Sequence, residues 1–185
     1  MPSPSSAIAK IATWYSQKRF GQNLAPVDVT AASPRILIGY GVFETALESA
    51  RQMDESLKHL AAMKTAAMVG CEWCIDFGSM LHHKKGLPAD QLMALPTFRE
   101  SDVFNDDEKL VLEYAEALSR TPAEPADELL ERLRARFDEA QIVELTATVA
   151  IENYRARFNH AFGLAPQGFA KGDACAVPER PAIPT

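Results

Sequence analysis

The twelve prolines of this chain divide it into segments that can form long helices and segments that cannot. A proline inside a helix costs about 3 kcal/mol, because it lacks the backbone N–H and clashes with the preceding turn. The three longest stretches without proline cover residues 35–87, 97–121 and 126–165. Long helices are therefore expected only inside these stretches or between Pro4 and Pro26.

The spacing of hydrophobic residues predicts helices in these stretches. Apolar residues recur every three or four positions, for example at Val143, Ala147 and Ala150, as one buried helix face requires. Strand signals are weak, because the best apolar triplet, Ile36-Leu37-Ile38, is the beginning of a longer helical pattern. The sequence predicts helices near 5–18, 35–51, 54–69, 71–85, 88–95, 105–120, 125–136 and 139–161, with connections at 19–34 and 96–104.

Two pairs of residues mark helix starts within this scheme. Asn105 with Glu108, and Asp138 with Gln141, can each form a capping box. The tail from Pro166 holds four prolines, and we expect it to be extended and to cover a neighbouring subunit. The sequence therefore predicts a single all-α domain over residues 1–185 that ends in this tail.

Charge and cysteine content exclude several classes of protein. The formal net charge is −6, whereas nucleic acids and anionic membranes require a clustered positive surface, so neither is expected as a partner. No apolar run approaches the roughly 20 residues that span a bilayer, and no secretory signal is recognised. The three cysteines, Cys71, Cys74 and Cys175, are too few for a disulfide-stabilised secreted fold. We expect a cytoplasmic protein, and Cys175 in the tail is assigned no role.

The close pair, Cys71 and Cys74, lies at the predicted start of a helix. Two cysteines three residues apart lie about one helical turn apart, so their sulfurs can join with little backbone motion. The positive helix N-terminus favours the thiolate, which attacks peroxides and disulfides. A zinc site would need two further ligands, and His82 and His83 lie about 12 Å or more along the helix axis. Redox use is therefore preferred to zinc binding or to inert buried cysteines, with no metal and no cofactor.

The residues around the pair resemble a known family. A helix, then Gly70-Cys71-Glu72-Trp73-Cys74, a second helix and Gly86-Leu87-Pro88 resemble the AhpD-like (alkylhydroperoxidase) branch of the carboxymuconolactone decarboxylase family. The resemblance covers about residues 30–165 and implies an all-helical AhpD-like bundle that assembles as trimers or hexamers. It also implies an oxidoreductase in which a peroxide oxidises Cys71 and Cys74 and an external dithiol restores them. The decarboxylase proper lacks this cysteine pair, so the family name does not indicate decarboxylation.

Two positions depart from the pattern of the family's peroxidases. Those proteins carry a histidine four residues after the second cysteine and a glutamate twelve residues before the first, where this chain has Gly78 and His59. By the resemblance, Cys74 is the thiolate nearest the proton relay and Cys71 is the more accessible partner. Because Gly78 leaves a gap on the cysteine face, we expect His59 to reach into it as general base, with Glu55 one turn earlier orienting the ring. The alternative is a partly buried His59 held by a backbone partner.

Two other functions stay open at this point. A non-redox decarboxylase or lactone-type enzyme on the same scaffold would use His59 as its base and Arg157 or Lys64 to hold a substrate carboxylate. A non-catalytic oligomeric binding protein would keep the cysteines only as a packed remnant. The polar cluster that ends with Asn159 and His160 either closes the pocket of a neighbouring subunit or caps its own helix, and capping is preferred.

Overall fold

Every regular element that the computed structural model describes, within residues 7–179, is helical. The all-α class predicted from the sequence is therefore confirmed for this part of the chain. Among these residues no helix is both long enough and apolar enough to cross a bilayer. The chain divides into two compact units, one ending at Ala50 and the other beginning at Arg51. A single domain over 1–185 stays a prediction, and the predicted helix start at residue 5 and the end of the tail lie outside the described residues.

The first unit contains three helices, α1 (Ala7–Phe20), α2 (Ala25–Thr30) and α3 (Pro34–Ser49), which contact one another. Arg19 in α1 forms an ion pair with Glu48 in α3 at 3.2 Å. Helix α2 corrects the prediction that 19–34 is only a connection. Its Pro26 lies in the first turn, where no backbone N–H is needed, and the Thr30 hydroxyl donates to the Pro26 carbonyl at 2.6 Å.

The second unit contains α4 (Glu55–Val69), α5 (Glu72–Lys84), α6 (Ala89–Ala94), a short 3-10 helix (Leu95–Thr97), α7 (Asp106–Ser119), α8 (Asp127–Arg136) and α9 (Glu139–Ala161). Helix α4 is central and packs against α5, α7 and α9. Both predicted capping boxes are formed, at Asn105 with Glu108 and at Asp138 with Gln141. These caps begin the helices that cover α4.

The interior of the second unit is made where α4, α7, α8 and α9 meet. Its buried side chains are almost all aliphatic or aromatic, so the unit is held together chiefly by removal of apolar surface from water. The cluster consists of Met53, Ala61, Leu110, Val111, Tyr114, Ala115, Leu129, Leu133, Phe137, Leu145 and Val149.

The described part of the C-terminal tail, residues 166–179, lies along α4 and α5 of its own chain. The Asp76 carboxylate in α5 accepts the backbone N–H groups of Gln167 at 2.8 Å and Ala170 at 3.0 Å. Further along, Glu179 pairs with Lys64 of α4 at 2.7 Å. These hydrogen bonds and this ion pair are made within the chain, and contact of the tail with a neighbouring subunit stays a prediction.

Candidate active site at the Cys71–Cys74 pair

The cysteine pair lies at the corner between α4 and α5. Gly70 ends α4 with a φ of 76°, in the left-handed region that glycine adopts without steric cost. Cys71 is then the N-cap residue of α5, and its Sγ accepts the backbone N–H of Cys74 at 3.2 Å. The two sulfurs are joined in a disulfide, and their Cα atoms lie 5.2 Å apart. The pair that the spacing predicts is therefore formed.

Both sulfurs lie among groups that favour a thiolate once the disulfide is reduced. They are at the N-terminal end of α5, where the helix dipole carries partial positive charge. The side-chain amide of Asn159 also donates to them, with Nδ2 at 3.5 Å from Cys71 Sγ and 3.4 Å from Cys74 Sγ. A donor interacts more strongly with a charged sulfur than with a neutral thiol, so these contacts favour deprotonation.

Asn159 comes from the last turn of α9, 85 residues after Cys74. The sequence predicts that Asn159 caps its own helix or closes the pocket of a neighbouring subunit, whereas the structure places it against the cysteine pair of its own chain. It is buried on the same face of α9 as Val149 and Ala156. That spacing is the signal that could have found it, because a polar side chain that continues a buried face needs a partner.

A pocket of about 200 Å³ opens on Cys71. Its walls are formed by Gly70, Cys71, Glu72, Asn159, His160 and Leu164. Cys71 lines this pocket and Cys74 does not, and both cysteines are buried. The His160 ring is held in the wall by its Nε2, which lies 3.0 Å from the Val69 carbonyl oxygen. Within residues 7–179, no three His, Cys, Asp or Glu side chains come together as ligands of a metal ion would.

The structure does not bring His59 to the cysteine pair. The space beside Gly78 is taken by Met63 of α4, whose Sδ would lie 2.3 Å from a Cβ atom placed on that glycine. His59 lies one turn before Met63, and its ring lies beside His82 with the ring centroids 5.3 Å apart. His82 follows Cys74 by eight residues, about 12 Å along the helix. The prediction that His59 reaches into the gap is corrected, because Met63 occupies it.

The surroundings of His59 keep its ring uncharged. Burial, followed by the charges of His82 and Lys85, lowers the pKa of His59 from 6.5 to about 3, against an opposing effect of Glu55. Nε2 of His59 and Nδ1 of His82 are buried without a hydrogen-bond partner among the described residues. Glu55, expected to orient the His59 ring, pairs instead with Lys85 at 2.6 Å. His59 and Glu55 therefore lie in a separate polar cluster at the far end of α5.

Known proteins resemble this chain in sequence and in fold. The family model of the carboxymuconolactone decarboxylase family matches residues 39–117. The uncharacterized protein YnjA of Escherichia coli (strain K12) is 35% identical over 174 residues, which cover 94% of this chain and 93% of YnjA. The solved structure of the debrominase Bmp8 without ligand has a TM-score of 0.80 at 20% identity, over 91% of each chain. An alkylhydroperoxidase AhpD core, an uncharacterized peroxidase-related protein from Ralstonia eutropha JMP134, has a TM-score of 0.76 at 18% identity, over 91% of this chain and 93% of its own. The chain belongs to the carboxymuconolactone decarboxylase family and has the AhpD-like all-helical fold.

Proposed function

We propose that the chain is a dithiol-dependent peroxidase in which Cys71 and Cys74 reduce small hydroperoxides. The observation that carries this proposal is a joined pair of sulfurs at the start of α5, with Cys71 in the wall of a pocket of about 200 Å³. A pair that alternates between two thiols and a disulfide supplies the two electrons that cleave an O–O bond. The pocket is smaller than the sites of about 300–1,000 Å³ that hold drug-sized ligands, which favours a small hydroperoxide.

The reaction takes two balanced steps. The Cys71 thiolate attacks the outer peroxide oxygen, the O–O bond breaks, and the departing alkoxide takes up a proton, which leaves an alcohol and a Cys71 sulfenic acid. The Cys74 sulfur then attacks the Cys71 sulfur, the S–O bond breaks, and water leaves as the disulfide forms. An external dithiol returns two electrons and two protons to the pair.

Cys71 is the proposed attacking sulfur. It lines the pocket, it is the N-cap residue of α5, and it accepts the Cys74 N–H at 3.2 Å. Cys74 lies one turn inside the helix, within bonding distance of Cys71 but outside the pocket wall. This division of roles differs from the one implied by family resemblance, in which Cys74 lies nearest the proton relay.

The test uses the reduced protein and one equivalent of tert-butyl hydroperoxide. We expect two thiols to be lost for each alcohol formed. Cys71→Ser should slow peroxide consumption at least about 100-fold, because no thiolate remains in the pocket. Cys74→Ser should still react once and stop at a sulfenic acid, which dimedone traps, because no second sulfur resolves it.

Cys175→Ser is the matched control, since Cys175 lies in the tail with its Sγ 3.9 Å from the Asp173 carbonyl oxygen. This variant should keep the wild-type rate and stoichiometry. Peroxide consumption that is unchanged in Cys71→Ser would reject the proposal. Turnover of a lactone or carboxylate substrate by a variant without both active-site thiols would favour the non-redox alternative.

A bromoarene is a second electron acceptor to be tested in the same assay. Bmp8 is a debrominase, and a cysteine-to-alanine variant of it was crystallised with 2,3,4-tribromopyrrole. Two thiols can replace a carbon-bound bromine with hydrogen while forming a disulfide and releasing bromide, so the electron count is the same. Bromide release with loss of both thiols would favour this substrate class over hydroperoxides.

Assembly as a trimer or hexamer and a cytoplasmic location stay predictions from the sequence. Light scattering of the purified protein measures the first of them directly.

A further inference from the structure

His160 is a solvent-exposed residue that lies at the wall of the pocket beside Cys71. Its Nε2 lies 3.0 Å from the Val69 carbonyl oxygen, and a carbonyl can only accept a hydrogen bond. Nε2 therefore keeps its proton whether the ring is neutral or charged. In the neutral ring the remaining nitrogen, Nδ1, is the proton acceptor. This backbone contact thus sets the tautomer of the imidazole.

Few groups in this pocket can carry a proton. Its titratable side chains are Cys71, Glu72 and His160, since Gly70, Asn159 and Leu164 have none. A carboxylate is as a rule ionised at neutral pH and has no proton to give to an alkoxide, whereas an imidazole can both accept and donate near pH 7. Of the four histidines in the chain, His160 alone lines the pocket.

The neighbouring residue on α9 supports the same geometry. Asn159 donates to both sulfurs, at 3.5 and 3.4 Å, and is buried. Consecutive side chains in the last turn of α9 therefore hold the sulfurs and present the imidazole to the same small volume. In this way α9 supplies an imidazole near the cysteine pair, which the residues at positions 78 and 59 do not.

We propose that His160 is the catalytic acid–base residue of the dithiol reaction, an inference that rests on the proposed function. Nδ1 of His160 takes the proton of the Cys71 thiol, and the thiolate attacks the peroxide. When the O–O bond breaks, the imidazolium returns that proton to the departing alkoxide. No proton is gained or lost over the step, and the products are an alcohol and a Cys71 sulfenic acid.

The experiment compares two electrophiles that differ in whether the leaving group needs a proton. Reduced wild-type protein and His160→Gln react with tert-butyl hydroperoxide, whose alkoxide needs a proton, and with dithionitrobenzoate at pH 9, whose thiolate does not. Glutamine keeps a donor for the Val69 carbonyl but cannot shuttle a proton. We expect His160→Gln to lower the peroxide rate about 100-fold at pH 7, as loss of a general acid–base does, and to change the dithionitrobenzoate rate by less than about threefold.

His83→Gln is the matched control, because its ring also contacts a carbonyl, that of Ala174 at 2.8 Å, but does not line the pocket. It should keep both rates. Equal losses in both reactions of His160→Gln, or a peroxide rate within about threefold of wild type, would overturn the proposal.

A wild-type protein that does not consume peroxide would reject the proposed function instead. In that case the pH midpoint of the dithionitrobenzoate reaction between pH 5 and 9 still tests His160. A higher midpoint in His160→Gln supports proton exchange with Cys71, and an unchanged midpoint overturns it.

Discussion

Gly78 determines how closely α4 and α5 approach each other near the cysteine pair. A Cβ atom at this position would lie 2.3 Å from Sδ of Met63. Non-bonded carbon and sulfur atoms do not approach so closely, so Gly78→Ala forces Met63 or the helices to move. We expect Gly78→Ala to lower the free energy of unfolding by about 1–3 kcal/mol, the usual cost of overpacking a core. Urea denaturation measures this loss.

Gly41→Ala is the control for that experiment, since Gly41 also lies inside a helix but has no atom within 4 Å of a Cβ placed on it. It should leave the protein equally stable or stabilise it by up to about 1 kcal/mol. If the contact with Met63 is the cause, adding Met63→Ala should make the double variant at least about 1 kcal/mol more stable than the sum of the single losses. Simply additive losses would contradict this explanation.

The sequence predicts the cysteine pair well because its chemistry depends on local spacing. Asn159 and His160 could not be assigned in the same way, because they follow the cysteines by 85 residues or more. Only the packing of α9 brings Asn159 to the sulfurs and His160 to the pocket wall. The helix that carries His59 is predicted correctly, but the direction of the His59 side chain is not. Which side chain fills a gap depends on all residues of the facing helix, and Met63 takes the place beside Gly78.

At the level of elements, α3 to α7 and α9 each begin within one residue of the predicted start. For α7 and α9 the capping boxes at Asn105 and Asp138 mark that start. Helix α2 includes Pro26, so it lies outside the proline-free stretches in which long helices are expected. The tail has no periodic pattern at all, and its backbone N–H groups bond to side chains of α5, so its path cannot be predicted from spacing.

This dependence of the tail on α5 gives a prediction for Asp76. Its carboxylate is buried and accepts the N–H groups of Gln167 and Ala170, and hydrogen bonds to charged groups contribute about 1.5–3 kcal/mol each. Asp76→Ala leaves both donors unpaired, so the tail should open at least about tenfold more often, since 1.4 kcal/mol is a factor of ten. Trypsin cleavage after the exposed Lys171, followed by mass spectrometry, measures this opening.

Asp102→Ala is the control for the tail, because Asp102 is an exposed aspartate outside it. Cleavage after Lys171 should be unchanged in that variant. Equal protection of Lys171 in wild type and Asp76→Ala would show that other contacts hold the tail in place.

At the scale of the molecule, charged groups buried on the central helix α4 are paired by distant segments. Lys64 is 1% exposed and lies 2.7 Å from Glu179 of the tail and 3.7 Å from Glu116 of α7. Burial alone would raise the pKa of Glu116, but Arg99, with Lys64 and Arg120, lowers it below its ordinary value. Buried Lys64 is therefore compatible with a stable fold, because the tail and α7, far apart in sequence, each bring a carboxylate to it.

For His59 on the same helix, burial outweighs the opposing charge of Glu55, and we expect His59 to make the protein less stable in mild acid. Its pKa in the folded chain is lowered from 6.5 to about 3, first by burial and then by His82 and Lys85. Below pH 6.5 the unfolded chain therefore binds a proton at His59 that the folded chain does not bind, and the free energy of unfolding falls by about 1.4 kcal/mol per pH unit for one such group.

Most carboxylates stay ionised between pH 6.5 and 5, so histidines account for most of the change in stability between these two pH values. Urea denaturation at these two pH values should show wild type losing about 1.5 kcal/mol more than His59→Gln, whose amide does not titrate. The same loss in wild type and His59→Gln would mean that His59 takes up its proton as readily in the folded chain as in the unfolded one.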